Sequence, residues 1–423
     1  MTLLPNETAV ADYPLPATQI GSTLIVVFPQ EQNHESPISP MTVVLSLPLL
    51  RRVILTAQRA GFSTIFVATS DPSGINQILD GTSAIPISPS DVSAHLPQGR
   101  IVLLASNVLP TQRSLRWLRD QPLELDRVRV FGNVAACIEL SEFSTCRLIL
   151  QDVLRGHTSF QELASACGIL LDQEQIDGLF PLKTVQDRRE AEQHLLRGLI
   201  KDTEGFMSRQ FERRISLAIT RRLVSTNITP NAMTGVSVGI GLLGAPFFLS
   251  SHWSYPLIGA LLFLAHSILD GCDGELARLR FHESRWGGLL DFWGDNVVHV
   301  AVFACMGIGW SLSLGETWPL WLGVLAVGGT IGSAGIVYRH TMRGEGSTAP
   351  LFTSVIRSKR STLSNLMDSL ARRDFIYLVV GLSAFGKASW FLALSAIGSP
   401  IYFGLLLWLA RSERHTMGEN HHE

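Results

Sequence analysis

The stretch Asp270-Gly-Cys-Asp273-Gly274-Glu-Leu-Ala277-Arg278, followed after eight residues by Gly287, Asp291 and Asp295, decides how the rest of the chain is read. Asp270 and Asp273 are three residues apart, and Asp291 and Asp295 are four apart, so on helices each pair shares one face. Residues 258–269 just upstream are apolar, and residues 297–310 just downstream carry almost no charge. The carboxylates therefore stand at the ends of two apolar helices. Ionisable groups are costly in lipid, and where they occur they mark functional sites.

Four aspartates in a poorly solvated setting repel one another unless a cation holds them. Hard oxygen ligands with few nitrogens or sulfurs favour Mg2+ or Mn2+. Two such ions, about 3.5–4 Å apart, would clamp a diphosphate and stabilise an in-line displacement at phosphorus. Gly274 and Gly287 leave room for a bulky ligand against the helix backbones. Arg278, one turn past Gly274, can neutralise phosphate oxygens. One of the carboxylates could deprotonate an incoming hydroxyl. A single aspartate here would read as a polar helix end meeting water; four at helical spacing, with an arginine and two glycines, do not. His266, in an apolar run, reads as a satisfied core residue, and Glu275 as a secondary ligand candidate.

Working outward, the 423-residue chain is 46% hydrophobic and 17% charged, with mean hydropathy +0.24. That is too apolar for one soluble domain and too mixed for a wholly membrane protein, so at least two domains are expected, one in the bilayer. A net charge of −2 names no nucleic-acid partner. The five cysteines (137, 146, 167, 272, 305) show no metal spacing and read as reduced. The N-terminus has neither a basic nor an apolar leader region, so no cleavable signal is expected.

Counted against about 20 residues per span, the apolar segments after Thr229 are 233–249, 255–269, 297–314, 318–337, 375–385 and 390–409. The second and third gain length from the motif turns. Arginines and lysines collect between spans two and three, between four and five, and after span six, whereas the opposite loops carry only Lys387. The positive-inside rule then sets six spans in the inner (cytoplasmic) membrane, with both termini and the carboxylates on the cytoplasmic side. Before the first span, Met207, Phe211, Ile215 and Ala218 share a helical face. Arg214 and Arg221 lie at its edge, and Arg209 and Arg213 point away. This pattern suits a basic amphipathic helix on an anionic membrane surface. Arg221, nearest the first span, is the one expected to reach an anionic substrate group.

In the front half, residues 23–28, 64–68, 100–105, 128–131 and 135–140 read as strands, and residues 49–60 as a helix with Pro48 at its start and Gly61 at its stop. The alternation predicts a parallel α/β sheet. Residues 45–68 resemble the second element of sugar-phosphate nucleotidyltransferases, and residues 100–118 the strand that carries a metal-binding Asp in that family. The departures are that no Gly occurs between Gly21 and Gly61 to form a phosphate loop, that the first lysine is Lys183, and that Ser106-Asn107 stands where the Asp is expected. Residues 21–175 therefore read as a nucleotidyltransferase-like fold that has lost catalysis or, close behind, as an unrelated doubly wound domain with a scaffold role; an active cytidylyltransferase ranks last. They follow a lead-in at 1–20 and precede a linker with the interfacial helix at 176–228, a six-span domain at 229–411 and a tail at 412–423.

The aspartate stretch resembles, in every fixed position and spacing, the signature of the CDP-alcohol phosphotransferase (CDP-alcohol phosphatidyltransferase) family, and the resemblance covers about residues 205–411. It implies an all-α six-helix membrane domain, usually a homodimer, that transfers a phospho-alcohol from a CDP-alcohol to an acceptor hydroxyl and releases CMP. It further implies that Asp270, Asp273 and Asp291 bind metal. Asp295 would be the general base and would also touch a second ion. Gly274, Arg278 and Gly287 would contact the CDP moiety, with Asn231 and Thr234 in the nucleotide pocket. The pairing of the two halves resembles bifunctional inositol-phosphate cytidylyltransferase/di-inositol-phosphate-phosphate synthases. The donor would be CDP-inositol-like or CDP-diacylglycerol, supplied by a separate cytidylyltransferase. The alternatives are a membrane cation-binding or transport protein using the aspartates, which leaves Gly274, Arg278 and Gly287 without a role, and a scaffold that recruits a cytidylyltransferase.

Overall fold

In the computed structural model, the described residues are 22–28, 38–89, 99–125, 127–140, 146–155, 157–166, 171–172, 176–200, 211–339 and 375–419. The lead-in at 1–20, the segment 29–37 where a phosphate loop would fall, Met207 and Arg209, and the basic connection 340–374 lie outside them. The chain divides into two compact units, Met1–Glu192 and Gln193–Glu423.

The first unit is an α/β layer structure. Its strands are β1 (Thr23–Val27), β2 (Val43–Val44), β3 (Leu47–Pro48), β4 (Thr64–Ala68), β5 (Ala84–Ile87), β6 (Gly99–Ala105), β7 (Val108–Pro110), β8 (Val128–Phe131), β9 (Ala135–Leu140), β10 (Leu171–Asp172) and β11 (Leu179–Pro181). Its helices are α1 (Leu49–Ala60), α2 (Pro72–Leu79), α3 (Gln112–Asp120), α4 (Cys146–Leu154) and α5 (Phe160–Ala166), and α6 (Val185–Arg197) runs across its end. The main sheet has seven strands in the order β10-β8-β9-β6-β1-β4-β5. The central strand β1 pairs parallel with β4 and β6, and its apolar run is fully buried, as a strand covered on both faces must be.

The sheet is mixed rather than parallel throughout, because β9 pairs antiparallel with both β6 and β8. Gly132, at φ +56, lets the chain reverse within three residues between Phe131 and Ala135. A hairpin this short leaves no room for a crossover helix. Helix α1 follows Pro48 and stops at left-handed Gly61 (φ +86), as the sequence predicts, and it buries Leu49, Leu50, Val53, Ile54 and Ala57 against the sheet. The unit also runs past the sequence boundary at 175. Leu179–Pro181 pairs with Val108–Pro110, and the Leu182 N–H donates to the Asn107 carbonyl at 2.8 Å.

The second unit is all-helical: α7 (Arg213–Leu223), α8 (Pro230–Gly244, continued by a 3-10 turn, Ala245–Leu249), α9 (Ser254–Arg280), α10 (Arg285–Leu314), α11 (Trp318–Val337), α12 (Phe375–Ala384) and α13 (Ala388–Glu419). Among the described residues, five segments are long and apolar enough to cross a membrane: Pro230–Leu249, Ser254–Arg280, Arg285–Leu314, Trp318–Val337 and Ala388–Arg411. Six were expected. The remaining one, Phe375–Ala384, is apolar but has ten residues among those described. The spans meet around Phe248, Phe263, Val298, Val302, Phe303, Met306, Val379 and Phe391. Small residues let backbones close up: a Cβ at Gly244 would stand 3.1 Å from the Gly259 carbonyl oxygen, and one at Gly307 3.3 Å from the Gly323 Cα.

The apolar side of the segment leading into α7, which the sequence reading lays on a membrane surface, is exposed, and the polar side packs against the protein. Phe211 and Ile215 are exposed, whereas Ser216 and Thr220 are buried. Arg213 points away from the apolar face as read from the sequence, but it points into the protein, where it pairs with Glu275 at 2.9 Å. The exposed apolar edge, flanked by exposed Arg214, Arg221 and Arg222, keeps the composition of an interfacial helix.

Candidate active site

The site is assembled by one tight antiparallel turn. Helix α9 ends at Phe281, a left-handed residue (φ +59), and the His282 N–H bonds back to the Ala277 carbonyl at 2.9 Å. Helix α10 starts at Ser284, whose hydroxyl accepts the Gly287 N–H at 3.0 Å. With so short a connection, the last turns of α9 lie beside the first turns of α10. Asp270 and Asp273 thereby face Asp291 and Asp295. At 1.5 Å per residue, α9 is about 40 Å long and α10 about 45 Å, longer than the roughly 30 Å apolar thickness of a bilayer. The motif-bearing ends therefore reach the interface.

Asp270, Asp291 and Asp295 each present one carboxylate oxygen, and these oxygens all lie within 4.8 Å of one another. Asp270 is buried and the other two are half-buried. Asp291 also lies within reach of the negative charge of Asp273. One buried oxygen of Asp291, Oδ1, has no hydrogen-bond partner. A buried carboxylate oxygen without a donor, facing two more carboxylates, suits a divalent cation and is costly without one. The residues present therefore fit the expected ion.

Asp273, the other expected metal ligand, is placed differently. Its Oδ2 accepts the Thr234 hydroxyl and its Oδ1 accepts the Gly274 N–H, so both oxygens are engaged by protein donors. Thr234, expected in the nucleotide pocket, supports a carboxylate of the signature. The other predicted positions gather around the cluster. The Arg278 guanidinium lies over Gly274, 3.3 Å from where a Cβ would project, and the Asn231 Oδ1 lies 3.0 Å from the corresponding point at Gly287. Arg221 is exposed on α7, and no hydrogen bond or ion pair among the described residues brings it to the cluster.

Two residues mean more in the structure than in the sequence. Glu275, between Gly274 and Arg278, is fully buried and accepts from Arg213 (2.9 Å), the Ser216 hydroxyl (2.7 Å) and the Thr220 hydroxyl (2.6 Å). It anchors α7 to the signature helix and does not join the cluster. His266, four residues before Asp270, is buried with Nδ1 3.0 Å from the Ser237 carbonyl and Nε2 3.4 Å from Asp295 Oδ1. Arg280, read as a topology-setting charge, donates to the carbonyls of Leu223, Val224, Thr226 and Ile228 and ties the loop after α7 to the end of α9.

In the first unit, Ser106 occupies the strand end where a metal-binding Asp was sought. It is fully buried, and its N–H bonds to the Val27 carbonyl at 2.8 Å. No carboxylate stands at that position.

Residues 227–411 match the family described as CDP-alcohol phosphatidyltransferase. Among individual proteins, the chain is 33% identical over 188 residues to a "Bifunctional IPC transferase and DIPP synthase" of Thermococcus kodakarensis, covering 43% of this chain and 41% of that one. It is 33% identical over 103 residues to a "CDP-diacylglycerol--serine O-phosphatidyltransferase" of Mycobacterium tuberculosis, covering 22% of this chain and 35% of the relative. The matched stretch thus spans less than half the length of these curated relatives. Among solved structures, the phosphatidylinositol phosphate synthase PgsA1 of Mycobacterium tuberculosis with CDP-DAG bound aligns at a TM-score of 0.33 and 21% identity, over 46% of this chain and 92% of that one.

Proposed function

We propose, from the premise that residues 227–411 are a CDP-alcohol phosphatidyltransferase domain, that this chain is an integral-membrane transferase. It moves a phospho-alcohol group from a CDP-alcohol to an acceptor hydroxyl and releases CMP. The observation that carries the reading is the convergence of Asp270, Asp291 and Asp295 within 4.8 Å at the joined ends of α9 and α10, with Gly274, Arg278, Asn231 and Gly287 around them.

Asp270, Asp291 and Asp295 would hold the divalent cation, Mg2+ or Mn2+, and Asp273 would shape the site through Thr234 and the Gly274 N–H. A cation bound there offsets the charge of the donor's diphosphate and the charge that develops at the attacked phosphorus. Arg278 meets a phosphate oxygen, and Gly274 and Gly287 let the nucleotide approach the helix backbones. Asp295 takes the proton of the acceptor hydroxyl as the new oxygen–phosphorus bond forms and the bond to CMP breaks. The donor is CDP-inositol-like or CDP-diacylglycerol. The pairing with an α/β unit favours the first, and the T. kodakarensis relative has a name of that kind. The first unit acts without catalysis of its own, so the donor comes from a separate cytidylyltransferase. The arginine-rich loops favour a cytoplasmic site in the inner membrane, and the domain works as a homodimer.

The test is CMP release by purified full-length protein in detergent with Mg2+ or Mn2+, across a panel of CDP-alcohols and acceptors. Asp295→Asn should abolish turnover and spare nucleotide binding. Full activity in that variant would remove the proposed base.

A further inference from the structure

The geometry points to α7 as the element that couples the charge of the membrane surface to the carboxylate cluster. Its outer face takes anionic lipid, and its inner face sets the rear of the signature helix.

The signature helix has two sides. At 3.6 residues per turn, Asp270, Asp273 and Gly274 share one side of α9, and Gly271, Cys272 and Glu275 share the other. Helix α7 packs on that second side. The Ser216 and Thr220 hydroxyls and the Arg213 guanidinium all donate to the fully buried Glu275. The Cys272 thiol donates to the Ser216 carbonyl at 3.6 Å. Gly271 is what admits Arg213, since a Cβ there would stand 2.6 Å from its Nη1. Arg280 then donates to the carbonyls of Leu223, Val224, Thr226 and Ile228, so α7 and the loop after it grip the end of α9 at two points. A shift of α7 therefore turns or tilts the part of α9 that carries Asp270 and Asp273, and moves both against Asp291 and Asp295 on α10.

The outer face is equally distinct. Phe211, Arg214, Ile215, Ala218 and Arg222 recur at three- and four-residue spacing, and all are exposed. Residues 224–229 alone separate α7 from the first apolar crossing, and Arg280 clamps that loop, so this face stays at the level of the bilayer surface. Apolar side chains set between arginines fit an anionic lipid surface. Each arginine near such a surface favours seating of the helix by roughly five-fold. Both faces are engaged in one position of α7, so lipid binding and the grip on Glu275 reinforce each other. Three donors already hold the seat, so the lipid term shows when the seat is weakened.

The role in turnover rests on the transferase reading; the role toward the cation does not. The test uses full-length protein in nanodiscs of phosphatidylcholine, alone or mixed with phosphatidylglycerol. Mn2+ affinity is followed by electron paramagnetic resonance and always compared with wild type in the same lipid, which cancels the attraction of Mn2+ to the lipid itself. The variant S216A/T220V removes two donors to Glu275 and keeps the Arg213 pair.

S216A/T220V should bind Mn2+ several-fold more weakly than wild type in phosphatidylcholine and regain most of that affinity in the mixed lipid. Adding R214Q and R222Q should abolish the recovery, and kcat for CMP release should follow the same order. Unchanged affinity in phosphatidylcholine would mean that the seat of α7 does not set the cluster. Equal loss in both lipids, as when a second copy of the chain covers the outer face, or recovery that survives R214Q and R222Q, would mean that lipid charge does not act through α7. Any of these overturns the coupling. If the double variant does not fold, S216A alone is judged by the same outcomes. Wild-type protein that releases no CMP, while Mn2+ affinity follows the expected order, would end the transferase reading and leave the coupling standing.

Discussion

Asp291→Asn offers the sharpest test of the carboxylate cluster, because it should move stability in opposite directions with and without a cation. The three carboxylate oxygens lie within 4.8 Å of one another. At that separation and an effective dielectric of about 20, each like-charge pair is worth about 3.5 kcal/mol of repulsion. Asp291 takes part in two such pairs. Proton uptake by the cluster, water entry and side-chain relaxation dissipate much of this, so removing one charge without changing shape should stabilise the cation-free protein by about 1 kcal/mol near neutral pH, and by more as pH rises and the cluster ionises. For a unit of this size, each kcal/mol raises Tm by roughly 2–4 °C. A cation reverses the order. Wild type should gain about 2.7 kcal/mol when Mg2+ is present at a hundred times its Kd, and the variant, short of one ligand, should gain little. The assay is thermal unfolding of detergent-solubilised protein at one scan rate, in EDTA and in Mg2+. A variant less stable than wild type in EDTA would refute the reasoning, since Asp291 would then be a structural partner. A variant that keeps the full Mg2+ gain would show that the cation binds elsewhere.

The remaining predictions concern the supports of the site and the first unit. Glu275→Ala strands the Arg213 guanidinium and the hydroxyls of Ser216 and Thr220, and should cost about 3–5 kcal/mol, with Glu275→Gln milder; amide exchange along α7 unchanged in the alanine variant would sink its role as anchor. Cys137, fully buried in the sheet, has its thiol pushed up to about 12 from 9.0 by burial. It should resist thiol reagents in the native state. Its folded pKa is the raised one, so the stability that comes from burying the neutral thiol is complete below pH 9 and is lost as pH climbs from about 9 towards 12. Fast labelling at pH 8 without unfolding would contradict this. Full-length protein given CTP and an alcohol phosphate should form no CDP-alcohol; accumulation of one would restore catalysis to the first unit.

What the sequence disclosed was what lies close along the chain. The spacing of Asp270 to Asp273 and of Asp291 to Asp295 is a local helical fact, and so are the stop at Gly61 and the apolar runs of the spans. The direction of β9 was not legible, because a buried strand reads the same whichever way it runs; the short turn at Gly132 carried the only hint. The partners of Glu275 and His266 were not legible for a related reason. They lie far off: Ser216 is 59 residues from Glu275, and Ser237 is 29 from His266. Neither separation leaves a periodic trace. The protein-facing side of α7 was hidden for the same cause, since a Ser216 and Thr220 stripe looks like a solvated edge until Glu275 is placed under it.

These misreadings share a geometry, and it changes how the first span is understood. Helix α8 has no carboxylate and reads as a plain membrane crossing, yet successive turns of it engage one aspartate and a histidine that lies beside another. The Thr234 hydroxyl donates to Asp273, and one turn on, the Ser237 carbonyl receives His266, which faces Asp295. Gly241, a further turn along, admits His266 and Val298 to the same face, because a Cβ there would stand 2.6 Å from Val298 Cγ1. Asn231, at the start of α8, lies against Gly287. A rotation of α8 by a few tens of degrees would therefore disturb the surroundings of Gly287, the carboxylate of Asp273 and the His266 ring together. Four aspartates on two neighbouring helices would form a cluster without α8, but it is α8 that gives Asp273 a hydroxyl donor the other three do not share among the described residues.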